Sequence, residues 1–278
     1  MKENPYLDDG YMNSPASTPD TSISDEKLLF RSLRDKSSYR NKWIDIRNVP
    51  IAIITISVFQ LFCHAYFTPT LNKCLRFEPI KRWEVWRFAT YMLVHDDWSH
   101  LTLNVIIQCI FAAFLERKQG HLRVLIIYLA GGITGVLGAT CVHPNLVIGS
   151  SAGGYSLLLS NAADLILNYE IITYKLYRSA SIATLVLFDI IFDVVHVSSK
   201  KEPQVSWQAH LVGAVTGLLL GLVIFQCDTT RHATLRKSFF WLGCILYCVL
   251  LVTFIIVAVQ IGKCTPPEII RVHYIYMC

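Results

Sequence analysis

Charge is what this sequence has least of. Only 16% of its 278 residues are Asp, Glu, Lys or Arg, against 53% hydrophobic residues. A soluble domain of this length carries more charge and shorter apolar runs. Metal-ligand spacing is missing as well, because the nine cysteines include no Cys-x-x-Cys pair. Cys63, Cys109, Cys141, Cys244 and Cys248 lie in or at the ends of apolar runs, where a thiol serves as a small hydrophobe. No cleavable leader is expected either: the first apolar run begins near residue 50, whereas a signal peptide occupies the extreme N-terminus.

What the chain does have is long apolar stretches. Seven approach the ~20 residues a helix needs to cross a bilayer core: Pro50–Phe67, Leu101–Leu115, Leu122–Cys141, Val147–Asn168, Ala180–Val197, Ala209–Phe225 and Phe239–Ile261. Their length and lack of alternation favour helices over barrel strands. The expected fold class is all-α, a polytopic helical membrane protein. Residues 1–49, rich in Ser, Pro and Asp and then basic, are expected to be a disordered cytosolic tail. Residues 50–262 form the transmembrane domain, and 263–278 a short luminal or extracellular tail. With the N-terminus in the cytosol, 16 of the 25 Lys and Arg residues fall on the cytosolic side and 9 outside, the sign the positive-inside rule requires. Cys74, Cys264 and Cys278 then lie outside, where disulfides survive, although no pairing follows from spacing. No Asn-x-Ser/Thr acceptor occurs on that outer face.

Polar groups inside a membrane are expensive, so each is a functional candidate. Three places stand out: His100 with Asn104, Ser150 with Ser151, and His210. The second, fourth and sixth stretches would all run inward, which puts His100, Ser151 and His210 within about 7 Å of the outer helix ends, at one depth. Each has a plain structural alternative. "GSSAGG" (Gly149–Gly154) also suits tight helix packing, and His100 with Asn104, four apart on one face, could simply bond neighbouring helices. Gly213 and Gly217 form a G-x-x-x-G face about one turn from His210 and admit a close neighbour. Taken together, a serine needs a base within hydrogen-bond reach, and histidine is the usual one. Asp164 shares the serine's stretch but lies roughly 20 Å along it, so a Ser–His dyad is expected rather than a triad. His100 and Asn104 suit an oxyanion hole, because both donate hydrogen bonds while neutral. Ser150 and Ser151 stand about 100° apart on a helix, so one face cannot present both to His210.

"HDDWSHLTLN" (His95–Asn104), "GSSAGGY" (Gly149–Tyr155) and "AHLVGAVTG" (Ala209–Gly217) resemble the three signature blocks of the rhomboid intramembrane serine proteases. "WEVWRFATYMLVH" from Trp83 resembles that family's Trp-Arg loop, and "LERKQG" its turn between the second and third spans. The likeness runs over roughly residues 50–262, with the blocks in family order. It implies a six-helix core plus a seventh C-terminal transmembrane helix, the six-plus-one layout of animal secretory-pathway members. It further implies Ser151 as nucleophile, His210 as general base, an oxyanion hole of His100, Asn104 and the Ser151 backbone N–H, and Tyr155 packed near His210. Gly149, Gly213 and Gly217 would support these residues. Such members cut type I membrane proteins, often growth-factor-like precursors, near the outer face of the Golgi, endosome or plasma membrane.

Neither a cofactor nor a nucleic-acid partner is expected; the lipid bilayer is. Two features depart from the family pattern: Ala152 follows the serine where glycine is commonest, and "CIFAAFLE" lacks a glycine often found there. Trp86 and Arg87 suit an interfacial anchor. Two other classes are weighed against a protease. A catalytically dead relative would bind transmembrane clients for trafficking or degradation, and usually lacks the serine or histidine. A transporter or channel would place charge at mid-membrane, where Asp189 and Asp193 are the one such feature.

Overall fold

The computed structural model describes residues 49–142, 146–198, 207–227 and 233–264, with the backbone alone at 185, 188–198, 233 and 264. The expected tail 1–49 (save its last residue), Cys278 and the side chains of Asp189, Asp193 and Cys264 therefore lie outside the described residues. Among the described residues seven long helices follow in order: α1 (Ile51–Tyr66), α2 (Trp98–Gln119), α3 (His121–Val142), α4 (Ser151–Leu167), α5 (Lys175–Ser198), α6 (Trp207–Ile224) and α7 (Ala233–Cys264). Short helical turns at Pro69–Leu75, Pro79–Lys81, Arg87–Thr90 and Tyr91–Leu93 fill the connection between α1 and α2. Among the described residues the only β pairing is an isolated bridge between Phe77 and Val147. The chain is all-α, as its apolar stretches require.

α2, α3, α6 and α7 are long and apolar enough to cross a membrane, and α1, with 16 residues, is a shorter apolar helix. α4 has only 17 residues, about 25 Å at 1.5 Å per residue. It can be short because protein encloses it: twelve of its residues are buried, and its widest contacts are with α6, then α3 and α2. The helix also starts later than its apolar run. Gly149 sits at φ +91°, a left-handed backbone that favours glycine, and helix begins two residues on. α2 runs past its apolar stretch at both ends. Asp97 caps its start by accepting from His100 N at 2.7 Å, and Gly120, at φ +87°, ends it.

The two buried polar residues in the last turn of α2 explain that extension. Glu116 accepts from Ala52 N at 3.0 Å and Ile53 N at 2.8 Å. A carboxylate from another helix thus satisfies the free first-turn N–H groups of α1, whose cap position is occupied by Pro50. Gln119 donates to Asp164 Oδ1 at 2.8 Å. Asp164 is fully buried yet fully engaged, by Arg178 Nη1 at 2.8 Å, Lys118 Nζ at 3.2 Å and Asn168 Nδ2 at 3.0 Å. The cluster ties the ends of α2, α4 and α5 together, and removing one partner would strand a buried charge.

The connection between α1 and α2 corrects one expectation. Trp86 is exposed, as an interfacial aromatic would be. Arg87 is instead buried, bonded to Glu84 Oε2, Lys73 O and Arg76 O, each at 2.7 Å. Its donors take up carbonyls left free at the end of the Pro69–Leu75 helix, so it braces the loop from within.

At the centre, small residues let backbones meet. A Cβ at Gly213 would strike the carbonyl of Ala152, and one at Gly217 the carbonyl of Ser156. One at Gly135 of α3 would come within 2.8 Å of Ala209 O and 2.9 Å of the Ala152 Cβ. Three helices therefore converge on Ala152, and any larger residue there would separate them. This predicts that Gly217→Ala destabilises the fold by about 1–3 kcal/mol through overpacking. Gly154→Ala, whose Cβ would meet only Ile107 Cγ2 at 3.7 Å, should be neutral or gain up to about 1 kcal/mol of helix propensity. Thermal unfolding in detergent micelles checks both; equal melting temperatures would contradict the close-approach account.

Candidate active site

His100 is the third residue of α2, Ser151 the first of α4 and His210 the fourth of α6. The three lie at one end of the bundle. His210 Nε2 stands 2.7 Å from Ser151 Oγ, within reach for proton transfer between them. Tyr155, one turn along α4, stacks on the imidazole at 4.2 Å between centroids and 22° between planes. His210 is buried and Ser151 half-buried, so the hydroxyl is the member of the pair open to a reactant. His210 Nδ1 has no hydrogen-bond partner among the described residues. Asp164 belongs to the cluster at the opposite end of α4, so among the described residues no carboxylate stands behind the pair.

On the other side of the serine, the His100 ring lies against Gly149. A Cβ there would stand 2.9 Å from both Cε1 and Nε2 of that ring, and 3.9 Å from Asn104 Nδ2. Gly149 is thus required twice, for its φ and for the space. Asn104 Nδ2 donates to His100 O at 3.0 Å, holding the first turn of α2. The Ser151 N–H is in the first turn of α4, where no intrahelical acceptor is available. Two side-chain donors and one backbone donor therefore border one glycine, an arrangement able to receive a developing negative charge.

The turn carrying these groups is pinned from several directions. Gly149 N donates to Val94 O at 2.8 Å and Val147 N to Phe77 O at 3.2 Å. Asp97, besides capping α2, accepts from Ser99 Oγ at 2.8 Å. The His100 N–H, then the Ser99 hydroxyl, holds its carboxyl below the usual carboxylate range. A depressed folded pKa means this stabilisation is complete above the unfolded value of about 3.9 and is lost as pH falls through the folded one.

The two adjacent serines part company here. Ser150 is only 1% exposed, and its Oγ lies 3.4 Å from His95 Nε2 and 3.4 Å from Gln108 Oε1. His95 in turn meets the His100 ring edge-on at 5.3 Å. Neither His95 nor Gln108 stood out in the sequence as a site residue. The signal was present: Gln108 continues the series His100, Asn104, Gln108 at four-residue spacing, a polar stripe on one face of an apolar helix.

Residues 82–227 match the Rhomboid domain family. The chain is 31% identical over 227 residues to Rhomboid-related protein 2 of Mus musculus, covering 74% of each chain. It is 36% identical over 169 residues to Rhomboid-related protein 1 of Caenorhabditis elegans, covering 58% of this chain but 46% of that one. A further Caenorhabditis elegans relative, 24% identical over 216 residues and covering 71% of this chain and 60% of its own, is named Inactive rhomboid-related protein 2.

The geometry separates the two serines by experiment. Ser151→Ala should abolish labelling by a fluorophosphonate probe, and Ser150→Ala should retain it within about tenfold, since a residue that only orients others contributes less than the reacting group. Labelling of Ser151→Ala at Ser150 would show that the other serine reacts. Asp97→Ala should slow labelling by loosening the first turn of α2, and Asp97→Asn should restore it, because an amide oxygen also caps.

Proposed function

The chain belongs to the rhomboid family and is a multi-pass membrane protein, and from that premise we propose that it is an intramembrane serine endopeptidase. Its substrates are single-pass type I membrane proteins, growth-factor-like precursors among them, cut within or near the outer end of the transmembrane segment. The reading rests on one observation above the others, the 2.7 Å contact between Ser151 Oγ and His210 Nε2 with the serine half-exposed.

In the proposed reaction, Ser151 Oγ attacks the scissile carbonyl carbon while its proton passes to His210 Nε2. The carbonyl oxygen becomes an oxyanion, met by His100, Asn104 and the Ser151 N–H. Collapse breaks the C–N bond, and His210 returns the proton to the departing amine. Water then adds to the acyl-enzyme, with His210 taking its proton and giving it back to Ser151. Among the described residues no carboxylate reaches the imidazolium; the stacked face of Tyr155 steadies it, an interaction worth about 0.5–2 kcal/mol. The substrate's helix must unwind to expose its backbone, and a site at one end of the bundle, where water reaches, suits that requirement.

The lysine and arginine distribution supports an N-terminus in the cytosol. The site end then faces the lumen or the exterior, in a secretory-pathway membrane of the Golgi, endosome or plasma membrane. A second reading, client binding without cleavage, is favoured by the relative named inactive.

Co-expression with a panel of tagged type I proteins separates the two readings. Release of an ectodomain by wild type should vanish in Ser151→Ala and in His210→Ala, by about 1000-fold or more. The double variant should be no worse than either alone, because members of one catalytic unit are not additive. Additive partial losses would break the dyad. Equal behaviour of wild type and Ser151→Ala, with the substrate bound by both, would leave client binding.

A further inference from the structure

Behind Ser150 lies a closed ring of polar side chains that the proposed chemistry leaves unused. Gln60 of α1 donates to Tyr128 OH at 2.9 Å, and Tyr128 of α3 donates to Gln108 Oε1 at 2.9 Å. Gln108 of α2 closes the ring by donating from Nε2 to Gln60 Oε1 at 2.8 Å. The spare hydrogens are used too, Gln108 Nε2 donating to Ser57 Oγ at 2.9 Å and Gln60 Nε2 to Met92 O at 3.1 Å. Gln60, Gln108, Tyr128 and Ser57 are all buried. Every donor in the ring has an acceptor, and the direction of each bond is fixed by the chemistry of its groups.

Such a ring in an apolar bundle is a stiff object, because disturbing any member leaves a buried polar group unpaired. It touches the catalytic turn at two points. Gln60 holds the carbonyl of Met92, in the same turn whose Tyr91 and Val94 carbonyls receive the Gly149 N–H. Gln108 Oε1 faces the Ser150 hydroxyl. Ser150 also faces His95 Nε2 at 3.4 Å. His95 also packs on His100.

We propose that Gln108, held by Gln60 and Tyr128, is a positioning residue that acts through Ser150. It fixes the Gly149–Ser151 turn, and through His95 the His100 ring, so that the nucleophile and the oxyanion donors keep their alignment. Gln108 touches no reacting atom. The inference rests on the protease reading above, since a turn with no chemistry has nothing to align.

The test is a kinetic double-mutant cycle on the full chain in detergent or liposomes, using a cleaved type I transmembrane segment, with Gln108→Met, Ser150→Ala and their combination. Each single variant should lower kcat about 5–10-fold with KM unchanged, and the combination should be no slower than the slower single one, because the two residues act as one unit. A purely structural role for Gln108 would instead multiply with the loss of Ser150, to about 50-fold. Multiplied losses, or a Gln108→Met variant at wild-type kcat, would overturn the proposal. Should Gln108→Met fail to fold, Tyr128→Phe, which removes only the hydroxyl donating to Oε1, takes its place under the same criterion. Ser151→Ala is run beside them. Equal rates for it and wild type would indicate failure of the protease reading, whereas an active wild type with unaffected cycle variants would overturn this inference alone.

Discussion

The approach of α6 to α4 is the constraint on which the site depends. A serine hydroxyl is a weak nucleophile, and a base assists it only from hydrogen-bond distance. Helices with ordinary side chains between them pack 8–10 Å apart, and a small-residue face brings them nearer. Here Gly213 and Gly217 set the backbone of α6 against the carbonyls of Ala152 and Ser156, and the residues beside that contact, Ser151 and His210, meet at 2.7 Å. Gly135 of α3 presses on Ala152 from the third side. The position after the serine must therefore be small. Alanine fills it at 1% exposure, within a cluster of Ala139, Ala152 and Ala209.

Two clusters of buried polar groups do different work. At one end Asp164 gathers Lys118, Arg178, Gln119 and Asn168 into a clasp across helix ends. Toward the other end, a neutral ring of Gln60, Gln108 and Tyr128 supports the turn that carries the serines. The difference follows from electrostatics. A charged clasp beside the serine would bias the proton that the proposed reaction takes from it, whereas amides and a phenol anchor the turn without adding charge.

Much of this was legible in the residues, and what was not has physical causes. Apolar run lengths located the helices, but not where they end. α4 begins at Ser151 instead of Val147 because Gly149 adopts a left-handed backbone and Val147 pairs with Phe77. α2 reaches Gln119 because Glu116 and Gln119 find partners on other elements that no local hydropathy reports. The shared depth of His100, Ser151 and His210 was readable from spacing along each stretch. The 100° separation of the two serines said only that one face cannot present both. The choice of Ser151 came from the family resemblance, and the structure adds why Ser150 is withdrawn, namely its seat between His95 and Gln108. Arg87 reads as an interfacial anchor but is buried, because the carbonyls it serves lie up to 14 residues away. The ring itself joins α1, α2 and α3 across separations of up to 68 residues, which no pattern within one helix could reveal.

The proposed nucleophile depends on helix spacing, and the most direct test moves the helices while leaving Ser151 and His210 in place. The measurement is the second-order rate of fluorophosphonate labelling at Ser151, located by peptide mass spectrometry, in wild type and in Gly213→Val. A displacement of about 1 Å should slow labelling on the order of 100-fold, although Ser151 and His210 are both present and the helices remain folded by circular dichroism. Labelling at the wild-type rate in a folded Gly213→Val protein would contradict that dependence.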